Sequence, residues 1–100
     1  MERIIKGKDI PVQANGRQPY DLTGRKLPIE HFVVRYTMPD NPFKSHAHEV
    51  PEVWFILDGE GFVSLDGQEY PVEKGDLILL EPWVAHGLRT ERRVTWVCIG

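Results

Sequence analysis

The sequence predicts an all-β domain, most simply a jelly-roll-like barrel, and three observations carry that expectation. Eight prolines and nine glycines punctuate 100 residues, so the segments between them are too short for ordinary helices. Those segments either alternate in polarity or form short apolar runs bounded by turn residues. With 41% hydrophobic and 27% charged residues, the chain also lies outside the range of disordered segments and should bury one modest core. The length suits a single domain over residues 1–100.

Residues 1–6 and 10–14 read as short strands, followed by a polar, Gly-containing loop over 15–26. Residues 28–38 alternate, with Phe32, Val34, Tyr36 and Met38 on one face and His31, Val33, Arg35 and Thr37 on the other. After a loop at Pro39-Asp40-Asn41-Pro42, residues 46–57 form the next expected strand, and Asp58-Gly59-Glu60-Gly61 reads as a tight turn into 62–65. Asp66-Gly67 is a hairpin signal leading into 68–72, and Lys74-Gly75-Asp76 is another turn. The continuous apolar run 77–80 implies burial on both faces. Extended structure returns around 86–88 and closes with 93–99, for six to nine strands in all.

Charge narrows the functional classes. Twelve Lys and Arg against fifteen Asp and Glu give a net charge of −3, and the arginines of 89–93 are interrupted by Thr90 and Glu91, which argues against a nucleic-acid face. No stretch approaches the roughly 20 apolar residues that span a bilayer, and the N-terminus lacks the apolar core and cleavage site of a leader, so a cytoplasmic protein without a membrane partner is expected. Cys98 is the one cysteine and reads as a small buried hydrophobe in an apolar run.

The sharpest chemical feature is His46-Ala-His48-Glu-Val-Pro-Glu52. On an extended strand, residues two apart share a face, so both imidazoles point the same way, about 6.6 Å apart at Cα, with Glu52 on the same parity. Pro51 removes a ladder donor just before Glu52, which favours a bulge or edge there. Two imidazoles and a carboxylate suit a borderline divalent ion, Mn, Fe, Ni, Zn or Cu, better than Ca or Mg. A third histidine, His86, follows Gly75, a buried run and Pro82, a path that would bring it back over the first three residues.

These blocks resemble a known family. His46, His48, Glu52 and Gly59 match the first cupin motif; Gly75, Pro82 and His86 match the second; and the resemblance covers about residues 42–88. In a shuffled chain of this composition the first block alone occurs on the order of once in a thousand. Four positions depart from the pattern: Asp40 and Trp83 stand where Gly is usual, Thr90 where Asn is usual, and Glu81 where the second motif's first Pro is expected. The resemblance implies a small single-domain cupin, a double-stranded β-helix barrel with one divalent transition metal held by His46, His48, Glu52 and His86. It implies a metal-dependent enzyme acting on a small sugar-derived or oxoacid-type molecule, of isomerase or lyase kind. The alternatives are a metal-dependent dioxygenase and a non-catalytic metal or small-ligand binding module.

Beside the ligands, Trp54 and Ile56 share the inward parity of Glu52 and could line the cavity, although Trp54 reads equally as core. Tyr36, Met38 and Trp83 complete the expected pocket, and Phe32 and Met38 would add to an apolar oxygen pocket in the dioxygenase reading. Arg35, Tyr36, Lys44 and Arg89 are the groups available to an anionic substrate, and strand parity lets at most one of Arg35 and Tyr36 face inward. His31 lies outside both motifs and reads as structural or surface. Finally, a chain of this size with no helices to cover its sheets should expose an apolar face, so a homodimer is expected. Residues 1–14 would add to a partner's sheet edge, or sheets would pack through residues such as Ile4, Ile10 and Trp96.

Overall fold

The computed structural model describes residues 3–100, and eight strands with one short 3-10 turn, Gly7–Asp9, account for its regular structure. The strands are β1 (Arg17–Tyr20), β2 (Phe32–Thr37), β3 (Phe43–His46), β4 (Glu52–Leu65), β5 (Gln68–Glu73), β6 (Leu77–Leu80), β7 (His86–Arg89) and β8 (Val94–Ile99). All pairings are antiparallel. One layer runs β1-β2-β8-β4-β6 and the other β3-β7-β4-β5.

β4 belongs to both layers, and this is where the expected turn at Asp58–Gly61 is corrected. Its first half pairs with β8 and β6, its second half with β5 and β7. The register slips between Ile56 and Asp58, and Gly59 takes φ 81°, so the two residue types that signal a turn instead bend one continuous strand from layer to layer. A Cβ on Gly59 would lie 2.3 Å from the Arg93 carbonyl oxygen. The Asp66-Gly67 signal is a true hairpin: both residues have positive φ, 49° and 87°, as a two-residue turn between twisted strands requires.

Other expectations change at the periphery. Residues 3–6 and 10–14 are not strands, and residues 1 and 2 of the first expected strand lie outside the described residues. The segment is held by side chain instead: Gln18 Nε2 donates to the carbonyls of Gly7 and Ile10, both at 3.1 Å. The strand lies inside the expected loop, as β1, where Pro19 is tolerated because the strand is an edge. The expected strand 46–57 is broken over 47–51, before Pro51 gives way to β4. The run 77–80 is buried on one face only, with Ile78 and Leu80 inward and Leu77 and Leu79 exposed, since β6 pairs with β4 alone among the described strands.

The core lies between the layers. Trp54 and Trp96 have no solvent exposure, their rings are 4.3 Å apart, and Trp96 Nε1 donates to Thr37 Oγ1 at 2.9 Å, so its polar edge is satisfied. Full burial removes Trp96 from any interface between copies. No helix among the described residues is long and apolar enough to cross a membrane.

Replacing Gly59 by Ala should cost about 2–3 kcal/mol, because a non-glycine residue at positive φ is strained and its Cβ meets backbone that holds β4 to β8. Urea denaturation reads this as a lower midpoint; a midpoint equal to wild type would show that the bend does not need glycine.

Candidate metal centre

Three strand ends bring the histidines together. His46 closes β3, His86 opens β7, and the two are directly paired in the antiparallel register; His48 follows in the break before β4. The ring centroids lie 4.6 Å (His46–His86), 4.8 Å (His48–His86) and 5.3 Å (His46–His48) apart, and one nitrogen from each ring falls within 4.8 Å of the other two. Burial is graded: His86 is buried, His48 half-buried and His46 exposed, so the cluster sits at the mouth of the barrel, open on one side.

The nitrogens are oriented by backbone. His86 Nδ1 donates to the Val84 carbonyl at 2.7 Å and His46 Nδ1 to the Lys44 carbonyl at 3.2 Å, which fixes the tautomer and leaves each Nε2 with a free lone pair. His86 Nε2 and His48 Nδ1 are buried and have no hydrogen-bond partner within the protein. Burial holds the His86 imidazole below its usual pKa, against its bond to Val84, and His46 and His48 push the same way. A neutral imidazole with an orphaned lone pair aimed at two others is what a borderline divalent metal requires, so the residues fit such an ion.

Glu52, the first residue of β4, is nearly buried, with 8% side-chain exposure. Trp54 Nε1 donates to its Oε1 at 3.0 Å; His86 Nε2 stands 3.6 Å from Oε1 and His48 Nε2 3.7 Å from Oε2. The carboxylate thus adjoins two of the three histidines, and it also groups with another pair, His31 and Cys98. His31 Nε2 lies 3.4 Å from Glu52 Oε2 and 3.4 Å from Cys98 Sγ. Of the two readings of His31, structural or surface, these contacts fit the structural one. The signal for it was its parity with Val33, Arg35 and Thr37, the residues of β2 that turn inward.

That same parity corrects the expected pocket. Phe32, Tyr36 and Met38 lie on the other face: Phe32 packs edge-on against Tyr20, the Tyr36 hydroxyl donates to Gln18 Oε1, and Met38 is exposed. Arg35 is the member of the Arg35–Tyr36 pair that faces inward, its guanidinium 4.6 Å from the Phe43 ring and 5.8 Å from that of Trp96. Arg89 is instead committed to Glu69 by two hydrogen bonds, 2.7 and 2.9 Å. Ile56 and Trp54 are fully buried; Trp54 alone approaches the cluster, 5.2 Å from the His86 ring. Trp83 is exposed, yet its φ of 69° is the left-handed geometry of the glycine usual at that position, and its N–H donates to the His48 carbonyl at 2.8 Å.

The model of the Cupin_2 family, a cupin domain, matches residues 34–100. The chain belongs to the cupin family. Over 53 residues, 48% of this cupin and 30% of the relative, it is 43% identical to an acireductone dioxygenase of Schizosaccharomyces pombe. Over 63 residues, 60% of the chain and 18% of the relative, it is 35% identical to a gentisate 1,2-dioxygenase of a Ralstonia species. The cupin thus spans about a third or less of these relatives. The crystal structure of an RmlC-like cupin from Shewanella frigidimarina superposes with a TM-score of 0.77 at 18% identity, covering 99% of this chain and 89% of that one, which shows the shared barrel.

One pH dependence follows from the centre's edge. Burial, reinforced by the Glu52 charge, pushes the Cys98 thiol up from 9.0 to about 12. The folded chain therefore keeps a proton that the unfolded chain releases, so the contribution is full below pH 9 and declines as pH rises from about 9 toward 12. Urea midpoints across that range should fall, and Cys98→Ala should flatten the fall; an equally steep decline in the variant would assign it to other groups.

Proposed function

We propose that this cupin is a metal-dependent enzyme acting on a small sugar-derived or oxoacid-type molecule, with one divalent transition metal held by His46, His48, Glu52 and His86. The observation that carries the reading is the convergence of three imidazoles, two of which, His48 at Nδ1 and His86 at Nε2, carry a buried nitrogen with no partner in the protein. When bound, a Mn, Fe, Ni, Zn or Cu ion supplies a Lewis acid that polarises a carbonyl or enediolate oxygen. The chain's own groups do the rest. Val84 and Lys44 carbonyls hold the rings in the ligating tautomer, and the Trp54 indole N–H holds Glu52 Oε1. The aromatic wall of Phe43, Trp54 and Trp96 excludes water from the inner side. Arg35, half-buried against that wall, is placed to take the carboxylate of an oxoacid.

A dioxygenase is the second reading, favoured by the local likeness to the two dioxygenases and by the apolar wall. Metal-loaded protein screened against uronates, keto-sugars and diketones, with oxygen uptake followed in parallel, tests both. Turnover without uptake is the expected result, and turnover with stoichiometric uptake would transfer the protein to the second reading. No turnover, together with a tight ligand recovered from the native protein, would make it a binding module. His86→Ala should reduce bound metal well below one per chain and turnover at least about a hundredfold. Arg35→Met should raise KM for an oxoacid about tenfold, or about 1.4 kcal/mol, with metal content unchanged.

The expected homodimer has a surface to fit it, though not the one residues 1–14 suggested. Phe55 and Leu57 of β4 and Leu77 and Leu79 of β6 point outward as one apolar face, with Phe55 opposite Leu77 and Val53 opposite Leu79. The side chains of this face are uncharged, so it can meet its own copy under a two-fold axis without opposing charges, and we propose a second copy of the chain as its cover. Sedimentation at micromolar concentration should show a dimer that Leu79→Lys dissociates; a monomeric wild type would remove the proposal.

A further inference from the structure

We propose that His31, Glu52 and Cys98 form a second metal site, for a zinc-like ion, which shares the Glu52 carboxylate with the three-histidine centre. The sharing depends on Glu52 also serving as a ligand of the first centre; the second site does not. The donor atoms are His31 Nε2, Glu52 Oε2 and Cys98 Sγ, and all three lie within 4.8 Å of one another. His31 Nε2 is 3.4 Å from each of the other two. A tetrahedral ion with bonds of about 2.3 Å to sulfur and about 2.0–2.2 Å to nitrogen or oxygen holds its ligand atoms about 3.4–3.6 Å apart, so both separations from His31 Nε2 are already coordinating ones and the third lies within 4.8 Å. For the His31–Glu52 pair, 3.4 Å is longer than an ordinary hydrogen bond.

The backbone is built around this contact. His31 precedes β2 and Glu52 opens β4, and β8 runs between those two strands. His31 and Gly100 exchange backbone hydrogen bonds of 2.9 and 3.1 Å at the end of β8. The His31 ring then crosses the place where a side chain at position 100 would be: a Cβ on Gly100 would lie 2.6 Å from His31 Cε1, 3.1 Å from His31 Nε2 and 3.1 Å from Glu52 Cβ. Only glycine lets the imidazole span β8 to reach the carboxylate. Cys98, two residues earlier on the same inward face, completes the triangle.

The charges and the access also suit a cation. A carboxylate and a thiolate neutralise a divalent ion, and binding releases the thiol proton to solvent as the sulfur–metal bond forms. The Cys98 and Glu52 side chains are buried, while the His31 side chain is about one-third exposed, 34%, so an entry path and a fourth position for water lie on its side. Glu52 Oε1 faces Trp54 and His86, while Oε2 lies 3.4 Å from His31 Nε2 and 3.7 Å from His48 Nε2, so the one carboxylate adjoins both groups of donors.

Titration of the metal-free protein with cobalt(II) alone tests this, followed by absorption spectroscopy and elemental analysis. Two ions per chain are expected, one of them accompanied by a thiolate-to-cobalt charge-transfer band in the near ultraviolet. Cys98→Ala and His31→Gln should each abolish the band and weaken one of the two ions about a hundredfold or more, while the other remains. His86→Ala should do the reverse, keeping the band and losing the other ion. His31→Gln leaves the buried core untouched, so it decides the matter should Cys98→Ala fold poorly. One ion with the thiolate band would uphold this site and count against the three-histidine centre. Wild type binding cobalt with no thiolate band, or a band unchanged in His31→Gln, would overturn the second site.

Discussion

A carboxylate has to be kept inside a wall of tryptophan and cysteine, and the architecture at the barrel mouth follows from that constraint. The Glu52 side chain retains 8% of its exposure, in a place where an isolated charge would cost several kcal/mol. The structure surrounds it with one indole donor and three imidazoles. Trp54 donates from the next inward position of the same strand, and three imidazoles stand within 3.7 Å, each from a different segment. Each of those imidazoles is in turn fixed by something else: His86 by the Val84 carbonyl, His31 by its backbone exchange with Gly100, and His48 by the Trp83 N–H on its own carbonyl. Moving Glu52 would loosen contacts to the residue before β2, to β7 and to the 47–51 break together.

The second constraint is topological, and it explains why so short a chain makes a closed mouth. β4 carries fourteen residues through both layers and pairs with four other strands, so its first residue lies in one layer and its last beside the start of β7 in the other. His86 on β7 is registered against both Leu65 at the end of β4 and His46 of β3. The bend at Gly59 is therefore what turns a sheet into a cavity with Glu52 and His86 on opposing walls. A straight fourteen-residue strand would separate those two side chains by most of its length.

Which parts of this were legible in the chain follows from the range of the interactions. The His46–His48–Glu52 spacing and the later His86 were readable because motif chemistry is local and needs little geometry. Strict strand parity was nevertheless the wrong reason for His48 and Glu52 to converge, since residues 47–51 are not a strand. The tight turn expected at Asp58–Gly61 failed because glycine marks a bend and a reversal equally well; only the pairing of both halves of β4 tells them apart. β1 was hidden by Pro19 and polar residues, which edge strands accept. His31 was missed for a different reason: its partner Cys98 lies 67 residues away, and the contact depends on what Gly100 lacks, a relation no periodicity displays. Of the expected pocket, Tyr36 and Met38 fell on the outer face although their alternation was read correctly, because alternation separates the faces without saying which one is inside.

Stability and function pull against each other at this mouth. The buried nitrogens His48 Nδ1 and His86 Nε2 have no partner in the protein, and each such group costs on the order of 1–3 kcal/mol relative to a satisfied one. A sequence selected for stability alone would fill these positions with Leu or Val, as it has filled the neighbouring inward positions with Ile56, Val63 and Leu88. One of these groups, His86, is also tightly oriented: the Val84 bond to its Nδ1, at 2.7 Å, is shorter than the Lys44 bond to His46 Nδ1, at 3.2 Å. Rigid, neutral and unpaired lone pairs are what raise affinity for an ion, because neither a proton nor a rotamer has to be displaced before the bond forms. An ion that binds only the folded state would then return that deficit by mass action, tying the stability of the barrel mouth to occupancy of its centre.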